Sequence, residues 1–305
     1  MWIIANIVIN IRYLYSAEGR GNGWNSEMVP VVSVETYVNS PVNYSEVVLG
    51  DDEVYRVTNT TLTNINGRPE NVAMLNDYYG ATWWYSIINA DTQMGVNNLL
   101  QKFMGWRSFG FDNNPMYETF AGVKYYFSRR TEETNSNYDL LEQIEFNNEV
   151  WNVYENPNYF GMAYKRNKVK SDELWEAKES YEKFYEKIYE LYVNGQEKIA
   201  VDYQRSRDKF VLNVTSDETE EVVILVPYHK NWKAYVDGSE VEIQKADMMY
   251  MSIIPGAGEH EIVLEYQAKE FRVGVMLAIF SMIVIIGGRF NLNGRRCEDD
   301  IKDIN

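Results

Sequence analysis

The amino-acid sequence predicts an α+β protein: a mixed α/β domain, a long helix, a membrane-proximal antiparallel β-sandwich and one transmembrane helix, in that order. Three observations lead to this fold class. Strand and helix patterns alternate over residues 46–130, five β-rich segments follow one another between 209 and 267, and residues 273–288 carry no charge. The three patterns follow one another along the chain, so they predict consecutive parts and not one repeated unit.

The predicted boundaries divide the chain into six parts. We expect the end of a preceding membrane helix or an entering strand at 1–16, an α/β extracytoplasmic domain at 17–165, a long amphipathic helix and linker at 171–200, a β-sandwich module at 203–268, a transmembrane helix at 271–290 and a cytoplasmic tail at 291–305. The apolar segment Trp2 to Leu14 lacks the basic start and small-residue cleavage site of a signal peptide. It is also too short to span a bilayer, so we expect either the end of a preceding membrane helix or a strand that enters the first domain.

The first domain combines short strands with one short helix. β-branched and aromatic residues predict strands at 54–57 and 121–129, a helix at 96–104, and a hairpin from 143–146 and 150–154. Because helices and strands are interspersed, this region is expected to form a mixed α/β or α+β unit.

Residues 171–193 have the clearest helical pattern of the chain. Ser171 is a suitable N-cap, acidic residues follow in the first turn, and Gly195 lies just past the end. One apolar stripe repeats at three- and four-residue spacing: Leu174, Ala177, Tyr181, Phe184, Ile188 and Leu191. Such a stripe packs on its own domain or forms a coiled coil with another chain.

The segment from 209 to 267 is predicted to be entirely β. Its strands are separated by short turns, of which Asp237-Gly238 favours a two-residue hairpin and 255–258 a glycine-rich turn. Short strands at regular spacing are typical of a β-sandwich.

The apolar run that follows predicts a membrane span. Residues 273–288 would form about 24 Å of helix, and Phe271 and Phe290 extend it toward the minimum for spanning. Arg272 and Arg289 can reach the two interfaces. More basic residues follow the run than precede it, which predicts a cytoplasmic tail and an extracytoplasmic bulk.

The charge excludes a nucleic-acid partner. The formal net charge is −16 over 305 residues, without the basic face that nucleic acid requires. The aromatic fraction is high at 14%, with 24 Tyr and 8 Trp, which suits protein cores and also stacking on sugar rings.

Catalytic and metal-binding motifs are lacking in the sequence. His229 and His260 have no ligand partners at metal-site spacing, and Cys297 is the single cysteine, so we expect no metal and no cofactor. Acidic pairs such as Asp51-Asp52 and Glu132-Glu133 lie in polar stretches and are predicted to be solvated loops. The catalytic residues therefore stay unassigned.

One aromatic and polar cluster is the best candidate for glycan binding. Its rings would stack on sugar faces, while its carboxylate, amide and guanidinium groups would bond hydroxyls or a phosphate. The candidates are Asn76, Asp77, Tyr79, Trp83, Trp84, Trp106, Arg107 and Asp112. The alternative is that these rings fill a core, and Trp232 and Tyr235 are expected to pack the sandwich.

The C-terminal third resembles the YfhO family of bacterial membrane proteins. The resemblance lies in a strand ending in Pro227-Tyr228, a hairpin with Trp232, Ala234, Val236, Asp237 and Gly238, a turn at 255–260, a strand ending in Tyr266, and the final apolar run. Upstream, similar residues are Asn76, Tyr79-Gly80, Trp84-Tyr85-Ser86 and 121–125. Tyr154-Glu155-Asn156 also fits the family pattern, but the chain departs from it directly afterwards, where Pro157-Asn158-Tyr159-Phe160 follows instead of the usual Leu-Pro pair.

The resemblance implies a multi-pass glycosyltransferase that uses a lipid-linked sugar and modifies cell-envelope glycopolymers such as teichoic acids. This chain would be its extracytoplasmic C-terminal part, in contact with the bilayer and positioning acceptor or glycan. The family's catalytic carboxylate is expected in an early loop upstream, so none is assigned here. Two alternatives remain: a self-standing single-span glycan-binding or scaffolding protein of the cell surface, and a tethered hydrolase with two facing carboxylates.

Overall fold

The computed structural model describes residues 39–59, 73, 76–84, 89–99, 107–109, 115–129, 138–167, 199–204, 208–247 and 249–302. In this part of the chain, antiparallel and mixed β-sheets dominate, accompanied by a few helices, one of them C-terminal. The predicted helix at 171–193, the segment Trp2 to Leu14 and the pair Glu132-Glu133 lie outside the described residues.

The helices and strands are as follows, in chain order. A 3-10 turn at Pro41–Tyr44 precedes the helices α1 (Glu46–Leu49), α2 (Ala90–Leu99), α3 (Pro115–Phe120) and α4 (Lys269–Lys302). The strands are β1 (Arg56–Asn59), β2 (Tyr79–Gly80), β3 (Thr82–Trp84), β4 (Arg107–Phe109), β5 (Val123–Arg129), β6 (Asp139–Phe146), β7 (Glu149–Glu155), β8 (Ala163–Asn167), β9 (Val201–Gln204), β10 (Lys209–Ser216), β11 (Glu220–Pro227), β12 (Trp232–Val236), β13 (Ser239–Val241), β14 (Gln244–Ala246), β15 (Tyr250–Ile253) and β16 (Gly258–Tyr266).

The first sheet is mixed, with strand order β2-β1-β5-β7-β6. β1 runs parallel to β2 and β5, whereas β5, β7 and β6 pair antiparallel. The predicted hairpin is confirmed as β6 and β7. Its turn residues Asn147 and Asn148 have φ angles of 54° and 62°, the left-handed conformation of a type I′ turn that asparagine tolerates.

Two antiparallel sheets form the β-sandwich predicted for the C-terminal part. One has the order β13-β12-β16-β10-β9 and the other β14-β15-β11-β8. Alternate residues of β10, such as Leu212, are buried, while β11 is buried along most of its length. Leu212, Leu264, Ile224 and Met251 share one hydrophobic cluster, so both sheets bury their apolar faces in a common core.

The β12–β13 hairpin has the turn that its sequence predicts. Asp237 and Gly238 have φ angles of 50° and 81°, so both occupy the left-handed region that an Asp-Gly pair tolerates. A hydrogen bond from the backbone N–H of Glu261 to the Asp237 carboxylate, 3.0 Å long, fixes this turn against β16.

Helix α4 begins three residues after the last residue of β16. Its large apolar side chains between Phe271 and Ile286 are 41–72% exposed. Among the residues that the structure describes, no helix meets both the length and the apolarity required for crossing a bilayer.

Candidate functional site

A cleft of about 350 Å³ lies between the mixed sheet and the β-sandwich. β1 and β2 of the mixed sheet supply one wall. The inner face of the sandwich sheet with the order β13-β12-β16-β10-β9 supplies the other. The lining residues are Val54, Arg56, Tyr79, Met162, Tyr203, Asp208, Phe210, Val226, Trp232 and Tyr266. Half of them are aromatic, which sets this cleft apart from an ordinary polar surface groove.

Strand periodicity places four of these rings on one face. Trp232 of β12 pairs with Tyr266 of β16, and Phe210 of β10 pairs with Tyr203 of β9. Cross-strand partners point to the same side of a sheet, so the rings meet on the inner face. Trp232, Tyr203 and Tyr266 are only partly buried, which leaves their ring surfaces accessible from the cleft.

The rings form a continuous row. Tyr79 meets Tyr203 edge-on at 5.5 Å between centroids, and Tyr203 stacks on Phe210 at 4.3 Å. Trp232 continues the row at 5.7 Å from Phe210, and Tyr266 follows at 5.2 Å. These separations are typical of favourable aromatic pairs, so the neighbouring rings hold one another in place before any ligand arrives.

Two charged side chains accompany the rings. Arg56 lies on β1, where its Nη1 donates to the carbonyl of Ala121 at 2.5 Å and contacts the Met162 sulfur at 3.7 Å. Burial lowers the pKa of the Arg56 guanidinium, although arginine stays protonated in proteins. The Tyr203 hydroxyl donates to the Asp208 carboxylate over 3.4 Å. The cleft therefore offers hydrogen-bond donors and an acceptor beside an apolar surface.

Of the candidates chosen from the sequence, Tyr79 lines the cleft. Asn76 and Asp77 lie in the turn before β2 and are not among its lining residues. The Asn76 side chain accepts a hydrogen bond from Asn43 at 2.7 Å, and Asp77 is exposed with a φ of 62°. The structure thus gives Asn76 a role in holding the turn that positions Tyr79.

Three further candidates lie on a separate two-stranded sheet. Trp83 and Trp84 are on β3, and Arg107 on β4 is the backbone partner of Trp84. The backbone therefore brings these three residues together on one small sheet. Trp106 and Asp112 lie outside the described residues.

Several cleft residues were missed or given another role by sequence reasoning. Trp232 and Tyr235 were expected to pack the sandwich. Trp232 does contact the core and also lines the cleft, whereas the prediction is wrong for Tyr235, which strand alternation directs to the opposite face of β12. Arg56, Tyr203 and Tyr266 were not selected. The available signal was an aromatic residue at the inward position near the end of four of the five strands of one sheet, β9, β10, β12 and β16.

A second polar cluster corrects the prediction for Asp51. The Asp51 side chain is only 12% exposed, since it accepts hydrogen bonds from Lys124 Nζ at 2.5 Å and from the Tyr125 hydroxyl at 2.6 Å. Lys124 also binds Glu53 at 2.9 Å and lies 5.4–5.6 Å from the centres of three tyrosine rings. Lys124 lies on β5, whose residues are nearly all buried. Asp51 is shielded from solvent because it pairs with this buried lysine.

The cleft's chemistry suits binding. Asp208 is the single carboxylate among its described lining residues, whereas hydrolysis of a glycosidic bond requires two facing carboxyl groups. Within the described ranges, no group of three or more His, Cys, Asp or Glu side chains is arranged to hold a metal ion.

Comparison with known proteins identifies the family. The family model described as "Bacterial membrane protein YfhO" matches residues 2–188 and 179–278. Over 106 residues the chain is 18% identical to the uncharacterized protein YfhO of Bacillus subtilis (strain 168), a match that spans 35% of this chain and 12% of that protein. No solved structure matches the chain. Because the family model covers most of the sequence, the chain belongs to the YfhO family of bacterial membrane proteins.

Proposed function

We propose that this chain is the extracytoplasmic C-terminal part of a membrane glycosyltransferase and that it positions a glycan of a cell-envelope polymer without catalysing transfer itself. The observation that carries the proposal is the aromatic row along the cleft, with Arg56 and Asp208 beside it. The sugar donor would be a lipid-linked sugar and the acceptor a glycopolymer such as a teichoic acid, as the family resemblance implies.

The cleft has the features of a saccharide site. Flat rings such as Trp232 cover the apolar C–H face of a sugar, while Asp208 accepts and Arg56 donates hydrogen bonds at the ring's edge. A volume of about 350 Å³ lies at the small end of the usual range for ligand sites. The cleft therefore suits one or two sugar units of a longer chain.

Helix α4 would hold the cleft near the bilayer. Its apolar side chains between Phe271 and Ile286 are exposed, and transfer of this apolar surface from water into lipid would be favourable. We place 271–290 in the membrane, 291–305 on the cytoplasmic side and the bulk of the chain outside. Tyr266, at the end of the aromatic row, is three residues from the start of this helix. A glycan in the cleft would thus lie within reach of a lipid-linked donor.

A binding titration tests the glycan site. The full chain, purified in dodecyl dimethylamine oxide because that detergent carries neither sugar nor phosphate, is titrated with a glycosylated teichoic acid while tryptophan fluorescence is followed. We expect saturable binding that Trp232→Ala weakens about ten-fold or more, because the accessible ring that would stack on the sugar is lost.

Tyr235→Ala is the matched control. Tyr235 lies on β12 three residues from Trp232, but strand alternation directs it to the opposite face. It should therefore bind the polymer as the unmodified chain does. Equal loss in both variants, or equal retention in both, would contradict the placement of the glycan in the cleft, and absence of binding by the unmodified chain would contradict glycan binding itself.

A self-standing glycan-binding protein is the second candidate. It is favoured because Asp208 is the single carboxylate among the described lining residues of the cleft, and binding needs no second one. Deleting the coding sequence in the host separates the two functions: loss of sugar substituents from the envelope polymer supports the glycosyltransferase, whereas intact substituents with altered surface retention of glycan support the binding protein.

A further inference from the structure

Arg56 has donors that none of the described residues accepts from. A guanidinium carries five N–H groups, and here Nη1 is engaged by the carbonyl of Ala121 and by the Met162 sulfur. Within the part of the chain that the structure describes, Nε and Nη2 donate to no atom and no carboxylate pairs with Arg56. Because Arg56 lines the cleft, its remaining N–H fork is available to a ligand there.

Among the described residues, the groups that contact this cation directly are uncharged, and the Asp208 carboxylate lines the same cleft without pairing with it. Tyr79, Tyr159 and Tyr250 interact with it electrostatically, and all three are uncharged at neutral pH, since the ordinary tyrosine pKa of 10.0 is raised further by burial. A partly desolvated cation without a counter-ion is unfavourable, so an anion supplied by a ligand would gain more here than at an exposed arginine.

We infer that the cleft binds a saccharide bearing an oxyanion, either a phosphate or a carboxylate, with Arg56 on the oxyanion and the aromatic row under the sugar ring. This inference deepens the proposed function and rests on it. The planar fork of arginine matches two oxygens of either group. Asp208 repels an oxyanion and accepts from hydroxyls, so it contacts the uncharged side of the sugar.

Three monosaccharides test the inference with the full chain in dodecyl dimethylamine oxide. Glucose, glucose 1-phosphate and glucuronate are compared by saturation-transfer NMR and competition. We expect at least one charged sugar to bind about ten-fold more tightly than glucose, the size of one charge-assisted hydrogen bond. Arg56→Gln should reduce that preference to about two-fold or less, because glutamine still donates a hydrogen bond to the sugar but carries no charge.

Lys233→Gln is the matched control for loss of a cation. Lys233 follows Trp232 in the chain but lies on the other face of β12, where it is bound to Glu240. It should keep the full preference for the charged sugar. If Arg56→Gln fails to fold, the salt response of the unmodified chain decides: raising NaCl to about 0.5 M should weaken the charged sugars and spare glucose.

The outcomes separate this inference from the proposed function. Binding of glucose and of both charged sugars with equal affinity overturns the role of Arg56 and leaves glycan binding intact. Absence of binding by all three sugars and by the polymer overturns both. A short-chain phosphatidylglycerol tests a lipid source of the phosphate: if it displaces the sugars and binds more tightly than glucose 1-phosphate, the oxyanion belongs to a lipid headgroup and the saccharide assignment is wrong.

Discussion

Arg166 and Asp247 form an ion pair inside the β-sandwich, with 2.5 Å between Nη1 and Oδ1 and only 1% of each side chain exposed. Arg166 also binds Glu221 through Nε at 2.7 Å, and the Tyr164 hydroxyl bonds Asp247. β8 supplies Arg166, β11 supplies Glu221, and Asp247 directly follows β14. One arginine thus ties together three segments of the four-stranded sheet.

Loss of the Asp247 carboxylate should therefore destabilise the fold strongly. Asp247→Asn keeps the shape and tolerates the positive φ of this position, 45°, but leaves the buried guanidinium short of negative charge. We expect the free energy of unfolding in urea to fall by about 3 kcal/mol, the usual cost of breaking a buried pair. Glu259→Gln, an exposed position on β16, should change it by less than about 0.5 kcal/mol. A loss below about 1 kcal/mol in Asp247→Asn would show that the charge is compensated elsewhere.

Acid should weaken the first domain through Asp51. Burial alone would raise the pKa of this carboxyl, but the hydrogen bonds from Lys124 and Tyr125 outweigh burial and hold the pKa below its ordinary value of 3.8. A group whose pKa is lower in the folded state stabilises the fold above its unfolded pKa and loses that contribution as the pH falls through the folded pKa. The contribution should thus be complete well above pH 3.8 and be lost as the pH falls below that value.

Asp51→Asn isolates this effect. Urea unfolding at a series of pH values should give a shallower decline of stability below about pH 4 in the variant than in the unmodified chain. Asp52→Asn is the matched control, because Asp52 is the next residue in the chain, is exposed, and takes no part in the hydrogen bonds from Lys124 and Tyr125 to Asp51. Identical pH profiles for all three proteins would mean that the Lys124 cluster does not contribute to acid sensitivity.

Local features of this fold could be predicted from sequence, whereas the cleft could not. The β6–β7 and β12–β13 turns follow from Asn and Asp-Gly pairs, because the signal and its structural effect lie in the same few residues. The cleft joins Arg56, Tyr79, Tyr203 and Tyr266, which are separated by up to 210 residues and meet only through sheet pairing and packing. Similarly, the pairing of β8 with β11 buries Arg166, and nothing near residue 166 in the sequence indicates it.

Gly95 should resist substitution although it lies in a helix. A Cβ atom at this position of α2 would come within 2.6 Å of the Met249 Cβ, so the helix touches the sandwich without space for a methyl group. Alanine normally stabilises a helix by about 1 kcal/mol relative to glycine. Here we expect Gly95→Ala to lower the free energy of unfolding by about 1–2 kcal/mol, because the clash outweighs the propensity. Met94→Ala, at a 48% exposed position of the same helix, should be near neutral, and stabilisation by Gly95→Ala would show that α2 can move away from Met249.

The junction between the sandwich and α4 should keep its geometry at low pH. Glu270, in the first turn of α4, accepts hydrogen bonds from Lys230 at 2.9 Å and from Asn231 at 3.0 Å. The bond from Lys230, with those from the Glu270 backbone and Asn231, lowers the pKa of Glu270 to about 2. Carbon-13 NMR of selectively labelled glutamate should therefore give a titration midpoint near pH 2, and Lys230→Met should raise it toward the ordinary value of 4.5. Lys233→Met, which removes a lysine bound to Glu240 instead, should leave the midpoint unchanged. A midpoint near 4.5 in the unmodified chain would mean that Glu270 is free in solution and that the sandwich can turn relative to the helix.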